Sequence, residues 1–400
     1  MSAVTRLDGP GGTIELTELE HWFAGPAHAC FAETTVALGQ EISRSLLADA
    51  DLGRRAEVVA LAFFLRQSHS RRLIAQIGHG LPDRCLAVPR GRCLVFAPGN
   101  VDTMFVYSWW LALLAGNRVA VRLTGQRSAL TDSIVAVLAR VLAQPAFAVH
   151  AAATRLLSWP HDDAAGAALS GLCDLRVIWG GDASIAAIRS HALGPAATEV
   201  TFPDRRSLAV FAASAYLSLE PTARDRLIRG FAADLSAFDQ MACSSPRLLV
   251  WCGPDAEPAA ADFRPRLGAV LAQSEPAIAM RKLVNAARAV LDGPEAVVHR
   301  FDAGLLVLKA DGAEPDHCGG GMLAEWRIDG LEHLADLLDR RYQTLVHFGF
   351  DGDSLRQLAR RLNGRALDRM MPVGKALEFA SVWDGHDLLR AALRLVWIEE

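Results

Sequence analysis

The feature that most constrains this chain is a repeated change of period. RCLVFAP (Arg92 to Pro98) reads as a strand, VDTMFVYSWWLALLAG as a helix and RVAVRLT (Arg118 to Thr124) as a strand again. Two strands separated by one helix are most simply a β-α-β unit. The alternation continues with a helix-like region from Ser128 to Leu142. Two further strands, LRVIWG (Leu175 to Gly180) and TEVTF (Thr198 to Phe202), flank the helical ASIAAIRSHAL. This rhythm predicts an α/β fold whose first sheet is doubly wound and parallel, a Rossmann-like layer of the nucleotide-binding kind.

After Phe202 the alternation begins afresh. SLAVFAA is a strand, Thr222 to Phe238 a helix and RLLVWC a strand, so a second α/β domain starts near here. Its remainder is less regular, with helices around Pro258 to Leu291, strands around Ala296 to Leu308 and a Gly-rich turn at Gly319 to Gly321. Ahead of the first sheet, Glu33 to Ile77 is rich in Ala, Leu and Arg at three- and four-residue spacing and reads as helices. The opening thirty residues read as a strand or an arm over a neighbouring subunit. The closing LRLVWIEE reads as a terminal strand of the sort that pairs across a subunit interface.

Composition sets the class. The chain has 400 residues, 51% of them hydrophobic, which is enough for two cores. Its formal net charge is −4 and its arginines are scattered among acids, so no basic field recruits nucleic acid. Seven cysteines lack the paired C-x-x-C spacing of a zinc site or redox dithiol, which points to a reducing compartment and to no metal. The N-terminus does not read as a signal peptide, and the strongest apolar run, Met104 to Ala115, is far short of the roughly 20 residues of a membrane span. The expectation is a cytoplasmic protein without a membrane span.

Three loops could carry chemistry. FDQMACSSPR (Phe238 to Arg247) sets Cys243 between polar turn residues and a Pro-Arg pair, whereas five of the other cysteines lie in or beside apolar runs and Cys318 lies in the Gly-rich turn. A thiol so placed is either a buried filler or a nucleophile, and a nucleophile needs its pKa of about 8.5 lowered by backbone N–H groups or a cation such as Arg247. FAPGNVDTMF (Phe96 to Phe105) ends a strand and opens a helix, with Asp102 as its N-cap; Asn100 can donate an amide to an oxyanion, or the stretch is an ordinary turn. Gly180-Gly181-Asp182 follows a strand and suits either a cofactor or a tight turn. Trp109, Trp110 and His347 read as core.

Together these loops resemble the acyl-CoA reductases of the LuxC type, a branch of the aldehyde dehydrogenase superfamily. The resemblance rests on PGNVDTMF, AGNRVAVRL, VIWGGDASI, TEVTFPDRRSLAV, FDQMACSSPR and GKALEFASVWDG, in order from Pro98 to Gly385. It implies an aldehyde dehydrogenase-like fold with an NADP-binding domain over 1–200, a catalytic domain over 201–385 and a closing oligomerisation segment over 386–400. By the same resemblance Cys243 is the nucleophile and Asn100 the oxyanion asparagine. Arg122 and Thr124 fall where the superfamily touches the adenosine ribose, and Gly180 and Gly181 match the turn beside the pyrophosphate and nicotinamide. Gly125 stands where an acid often excludes a 2′-phosphate, and with Arg127 nearby this favours NADPH.

Two positions depart from the superfamily pattern. Phe202 or a neighbour replaces the glutamate that activates water, and His317 falls at the glutamate that anchors the nicotinamide ribose. The implied reaction is reduction of an acyl thioester, a fatty acyl-CoA or an acyl group passed from an acyl-protein synthetase, to the aldehyde. Oxidation of an aldehyde and a silent scaffold for an acyl-transferring partner are the competing readings. The family resemblance also implies a homo-oligomer.

Overall fold

The computed structural model describes residues 4–9, 12–160, 164–292, 296–301, 304–309 and 316–399. The chain divides into two compact units, Met1–Pro203 with Phe379–Glu400, and Asp204–Glu378. From Phe379 onward the chain packs with the first unit, so residues 379–385 lie with the first sheet rather than with the second.

The first unit holds β1 (Val4–Arg6), β2 (Gly12–Ile14), β3 (Cys85–Pro89), β4 (Arg92–Phe96), β5 (Arg118–Leu123), β6 (Thr154–Ser158), β7 (Leu175–Trp179) and β8 (Thr198–Phe202). Its main sheet runs β2-β1-β6-β5-β4-β7-β8, with β4 to β8 parallel. From β4, the strands run outward through β5 and β6 on one side and through β7 and β8 on the other, so the order reverses between β4 and β7. That is the doubly wound pattern expected from the alternation of period. Of the opening residues, Val4–Arg6 and Gly12–Ile14 are strands that pair antiparallel on the edge of this same sheet.

Helices cover both faces, and this is why the central strands read as continuous apolar runs. The helix Ala129–Leu142 starts where Ser128 accepts the N–H of Thr131 at 3.0 Å, and it buries Leu130, Ile134, Leu138 and Val141 along one stripe. The helix Met104–Leu114 is buried on every side, Trp109 and Trp110 included, so it shows no polar face to read. Among the described residues no single helix is long and apolar enough to cross a membrane.

The second unit holds β9 (Arg206–Ala212), β10 (Pro246–Cys252), β11 (Val297–Phe301), β12 (Leu305–Lys309), β13 (Met322–Ile328), β14 (Tyr342–Phe348) and β15 (Arg369–Pro372). The order is β11-β12-β13-β10-β9-β14-β15, and all but β11 are parallel. This sheet is also doubly wound about its first strand. The strands expected around Ala296 to Leu308 are β11 and β12, with residues 302–303 outside the described set. His347, read as core, is half-buried on β14.

The chain then returns to the first unit, where β16 (Val382–Trp383) and β17 (His386–Asp387) form a hairpin and β18 (Leu393–Trp397) pairs antiparallel with β3. Leu86, Leu395, Val396, Trp397 and Ile398 are exposed on or beside that two-stranded ribbon. An apolar ribbon of two strands has little stability of its own in water.

Both units contain buried polar groups whose partners cannot be removed without cost. In the second, Arg264 and Glu325 are almost fully buried and doubly hydrogen-bonded, with Nε to Oε2 at 3.1 Å. Removing one partner strands a buried charge, so Glu325→Gln should cost about 3–5 kcal/mol. The paired change Arg264→Met with Glu325→Leu should restore most of that, as read by denaturant unfolding. In the first unit, His150 shares a 2.9 Å hydrogen bond with Thr35 Oγ1 and stands edge-on to His28. Burial, helped by the charge of His28, pushes His150 down from 6.5 to about 4. Between those values the unfolded chain binds a proton that the folded chain refuses, so stability falls as pH drops through this window. His150→Gln, which can keep the Thr35 bond, should flatten that acid limb in a stability-versus-pH series.

Candidate active site

Cys243 lies just before β10, at the amino end of the second sheet. It occupies the second position of a turn closed by the Ser245 N–H on the Ala242 carbonyl at 3.0 Å. The thiol residue is half-buried, while Ser244 and Ser245 beside it are buried. From within the sheet, the Ser207 hydroxyl of β9 donates to the Cys243 carbonyl at 2.6 Å. Cys30 and Cys252 are pushed up to about 11 by burial, and Cys173 to about 12. Thiols held that high are inert as nucleophiles near neutral pH.

The approach to Cys243 is unusual. Phe238, Asp239 and Gln240 all have positive φ, at 51°, 53° and 64°. Each such non-glycine residue costs roughly 1–3 kcal/mol and persists only where its surroundings over-determine it. Those surroundings are the turn Gly319–Gly321, whose three residues are also left-handed, at 74°, 61° and 81°. Glycine is required at all three. A Cβ would strike the Asp239 carbonyl from Gly319, the Ile278 side chain from Gly320 and the Gly304 carbonyl from Gly321.

Hydrogen bonds join the two left-handed turns. The Gly320 N–H donates to the Asp239 carbonyl at 2.9 Å. Gln240 is fully buried; its Nε2 donates to the carbonyls of Pro246 at 2.8 Å and Met322 at 3.0 Å, and its Oε1 accepts the Gly321 N–H at 2.9 Å. Behind the glycines, the buried Lys282 ammonium donates to the Gly320 carbonyl at 2.6 Å and to Ser274 Oγ at 2.8 Å. Burial holds this lysine below its usual range. His317 Nε2 lies 3.1 Å from the Gln240 carbonyl. Burial, with Arg247 nearby, pushes its pKa down to about 4, so the ring is neutral and Nε2–H is the donor. The position that resemblance aligned with an anchoring acid therefore carries a neutral imidazole bonded to the cysteine loop. Gln240, Ser207 and Lys282 were not singled out from sequence, and the glycine run read only as a Gly-rich turn; three adjacent glycines were the available signal.

Asn100, Arg122, Thr124, Gly180 and Gly181 all belong to the first unit, along the carboxyl edge of its parallel strands. The strands β5, β4 and β7 that carry them are direct neighbours, with Phe96 in register with Arg122 and Ile178. Asn100 is exposed in the turn after β4. Thr103, not Asp102, is the N-cap of the following helix. The Asp102 carboxylate instead accepts from the hydroxyls of Ser128 and Thr131, tying this loop to the next helix start. Arg122 is buried, and its guanidinium donates to the Trp159 carbonyl at 3.1 Å. Thr124 folds its hydroxyl onto the Gln126 carbonyl at 2.7 Å. Arg127 binds Asp132 at 2.7 Å, and a Cβ at Gly125 would meet open space. Gly181 begins the helix Asp182–Arg189, and a Cβ there would likewise meet nothing within 4 Å.

Phe202 ends β8 and is buried. It stacks on Trp179 with centroids 3.7 Å apart and planes 8° from parallel, and His386 stands edge-on to it. Trp179 in turn donates Nε1–H to Ser108 at 2.8 Å. A side chain held in such a stack offers neither a base nor a proton.

Comparison with known structures places the fold. A protein of Burkholderia cenocepacia assigned to the aldehyde dehydrogenases matches with a TM-score of 0.69 at 18% identity, covering 99% of this chain and 95% of the other. The NAD-dependent benzaldehyde dehydrogenase of Corynebacterium glutamicum matches at 0.64 and 12%, covering 99% and 92%. PnpE, solved in complex with nicotinamide adenine dinucleotide, matches at 0.64 and 13%, covering 100% and 94%. The fold is thus aldehyde dehydrogenase-like. Comparison with curated protein sequences gives no match. The family of acyl-CoA reductases named LuxC matches residues 84–395, the greater part of the sequence, and the chain belongs to that family.

Proposed function

We propose that this chain uses NADPH to reduce a thioester, a fatty acyl-CoA, to the aldehyde through an acyl group carried on Cys243. The observation that carries the reading is the seat of that thiol, a half-buried cysteine at the head of a turn pinned by Ser207 and Gln240. The Cys243 thiolate attacks the carbonyl carbon. The Cys243 backbone N–H and the amide that resemblance assigns to Asn100 hold the tetrahedral oxyanion, and the CoA thiolate leaves, giving a thioester on Sγ. A bound nicotinamide nucleotide supplies the hydride. Collapse of the thiohemiacetal returns the thiolate and frees the aldehyde. The stacked Phe202 supports this outcome, because a position without a base leaves the acyl-enzyme unhydrolysed.

The nucleotide reading is supported by the loops of Asn100, Thr124 and Gly180, which share the carboxyl edge where the strand order reverses, the usual site of a dinucleotide in such sheets. The open Cβ positions of Gly125 and Gly181 fit close approach by a ligand. In this reading Gly180 and Gly181 receive the pyrophosphate. Thr124 and Arg122 frame the adenosine end, and Arg127 reaches a 2′-phosphate.

Two measurements test these roles. Incubated with radiolabelled acyl-CoA, the wild-type protein should carry label on Cys243 and, with NADPH, release aldehyde; Cys243→Ala should do neither. A Cys243→Ala protein that still formed aldehyde would end the covalent reading, and wild-type protein that neither took label nor consumed NADPH would favour a scaffold. Arg127→Ala should raise KM for NADPH about tenfold while leaving KM for NADH nearly unchanged, the loss expected for one charge-assisted phosphate contact. Equal effects on both nucleotides would remove Arg127 from the phosphate.

A further inference from the structure

We propose that Gln240 is the positioning residue of the Cys243 thiol, and that the left-handed turn Gly319–Gly321 is the template against which it works. This builds on the reading of Cys243 as nucleophile. Gln240 stands three residues before the thiol, is fully buried, and places both ends of its amide on main-chain groups. One bond reaches Pro246, on the far side of Cys243, so the amide spans the loop that carries the thiol. The other two reach Gly321 and Met322, so the loop is keyed to a second segment more than seventy residues away in sequence. The Gly320 N–H on the Asp239 carbonyl and His317 on the Gln240 carbonyl close the same contact from the main chain.

The three positive φ angles before the cysteine show what this arrangement resists. Phe238 to Gln240 have no glycine to relax them, and a chain released from the Gln240 bonds would return to right-handed or extended backbone. That return would swing Cys243 relative to the buried Ser207, whose hydroxyl fixes its carbonyl. Gln240 touches no reacting atom in this proposal; it acts through the geometry of the residue it presents.

The test is Gln240→Met, which keeps length and bulk and removes all three side-chain hydrogen bonds, compared with Gln240→Glu, which keeps only the acceptor for Gly321. Alkylation of Cys243 by iodoacetamide, followed by peptide mass spectrometry across a pH series, reads the thiol without requiring turnover. Gln240→Met should slow alkylation and shift its pH midpoint, with Gln240→Glu falling between it and the wild type. For acyl-CoA reduction, kcat should fall about a hundredfold, the scale expected for a misplaced reacting group, while KM for NADPH changes less than about threefold. A folded Gln240→Met protein with a lowered Tm but wild-type alkylation rate, pH midpoint and kcat would overturn the proposal. If Gln240→Met does not fold, Ser207→Ala loosens the same loop from the sheet side; slower alkylation with a shifted midpoint supports the positioning, and unchanged alkylation overturns it. Because alkylation is read apart from reduction, wild-type protein that alkylates at Cys243 but reduces no acyl-CoA would fail the functional reading alone.

Discussion

Two left-handed turns hold each other in place, and the arrangement around the thiol depends on that contact. A run of three non-glycine residues with positive φ is not a conformation that a chain keeps by itself. Here it is kept because the opposing turn consists of glycines, which adopt the same hand at little cost and leave room for the Asp239 carbonyl to approach. The Lys282 ammonium supports the glycines from behind, and the Gln240 amide fills the gap between the two segments. Strain on one side is balanced by permissive backbone on the other, and Cys243 is the first residue past the strain to leave the fully buried or fully exposed pattern of its neighbours.

The two sheets place their chemistry at opposite ends of their strands. In the first, the loops of Asn100, Thr124 and Gly180 extend from the carboxyl edge, where a doubly wound sheet normally opens its crevice. In the second, the thiol and the glycine turn stand at the amino edge, ahead of β10 and β13. Loops at an amino edge have no strand-order reversal to shape them. The second unit therefore depends on local devices, the paired turns and the Ser207 hydroxyl, where the first relies on topology.

That difference explains how much was legible in the sequence. Strands β4, β5, β7 and β10 are buried on both faces and spell themselves as apolar runs, so the Rossmann-like layer and the second domain could be read directly, as could the helices between them. Strand β6 could not, because Thr154 and Arg155 dilute its apolar run, and β15 is only four residues long, too short to show a period. Cys243 stood out by its polar neighbours. The contacts that hold it did not, because Gln240 meets Gly321 only after the chain has folded, and no local pattern announces positive φ at Phe238 or Asp239. Asp102 misled for a related reason: it has the chemistry of a cap, but the start of the next helix competes for its carboxylate more effectively.

The first unit is discontinuous, and this bears on how the protein is made. Trp383, Leu388, Leu389 and Leu393 pack in the main core of that unit, Arg90 binds the carbonyls of Ala391 and Leu393, and the Asn117 amide donates to the Ala392 carbonyl. None of the residues from Trp383 to Leu393 exists while the ribosome is still extending the second unit, which is contiguous from Asp204 to Glu378 and contains all the strands of its own sheet, so Arg90 and Asn117 wait without these partners. The half of the molecule that begins first is thus the half that can be completed only last. Until then its apolar core stands open on the nascent chain, exposed to the aggregation and chaperone capture that such surfaces invite.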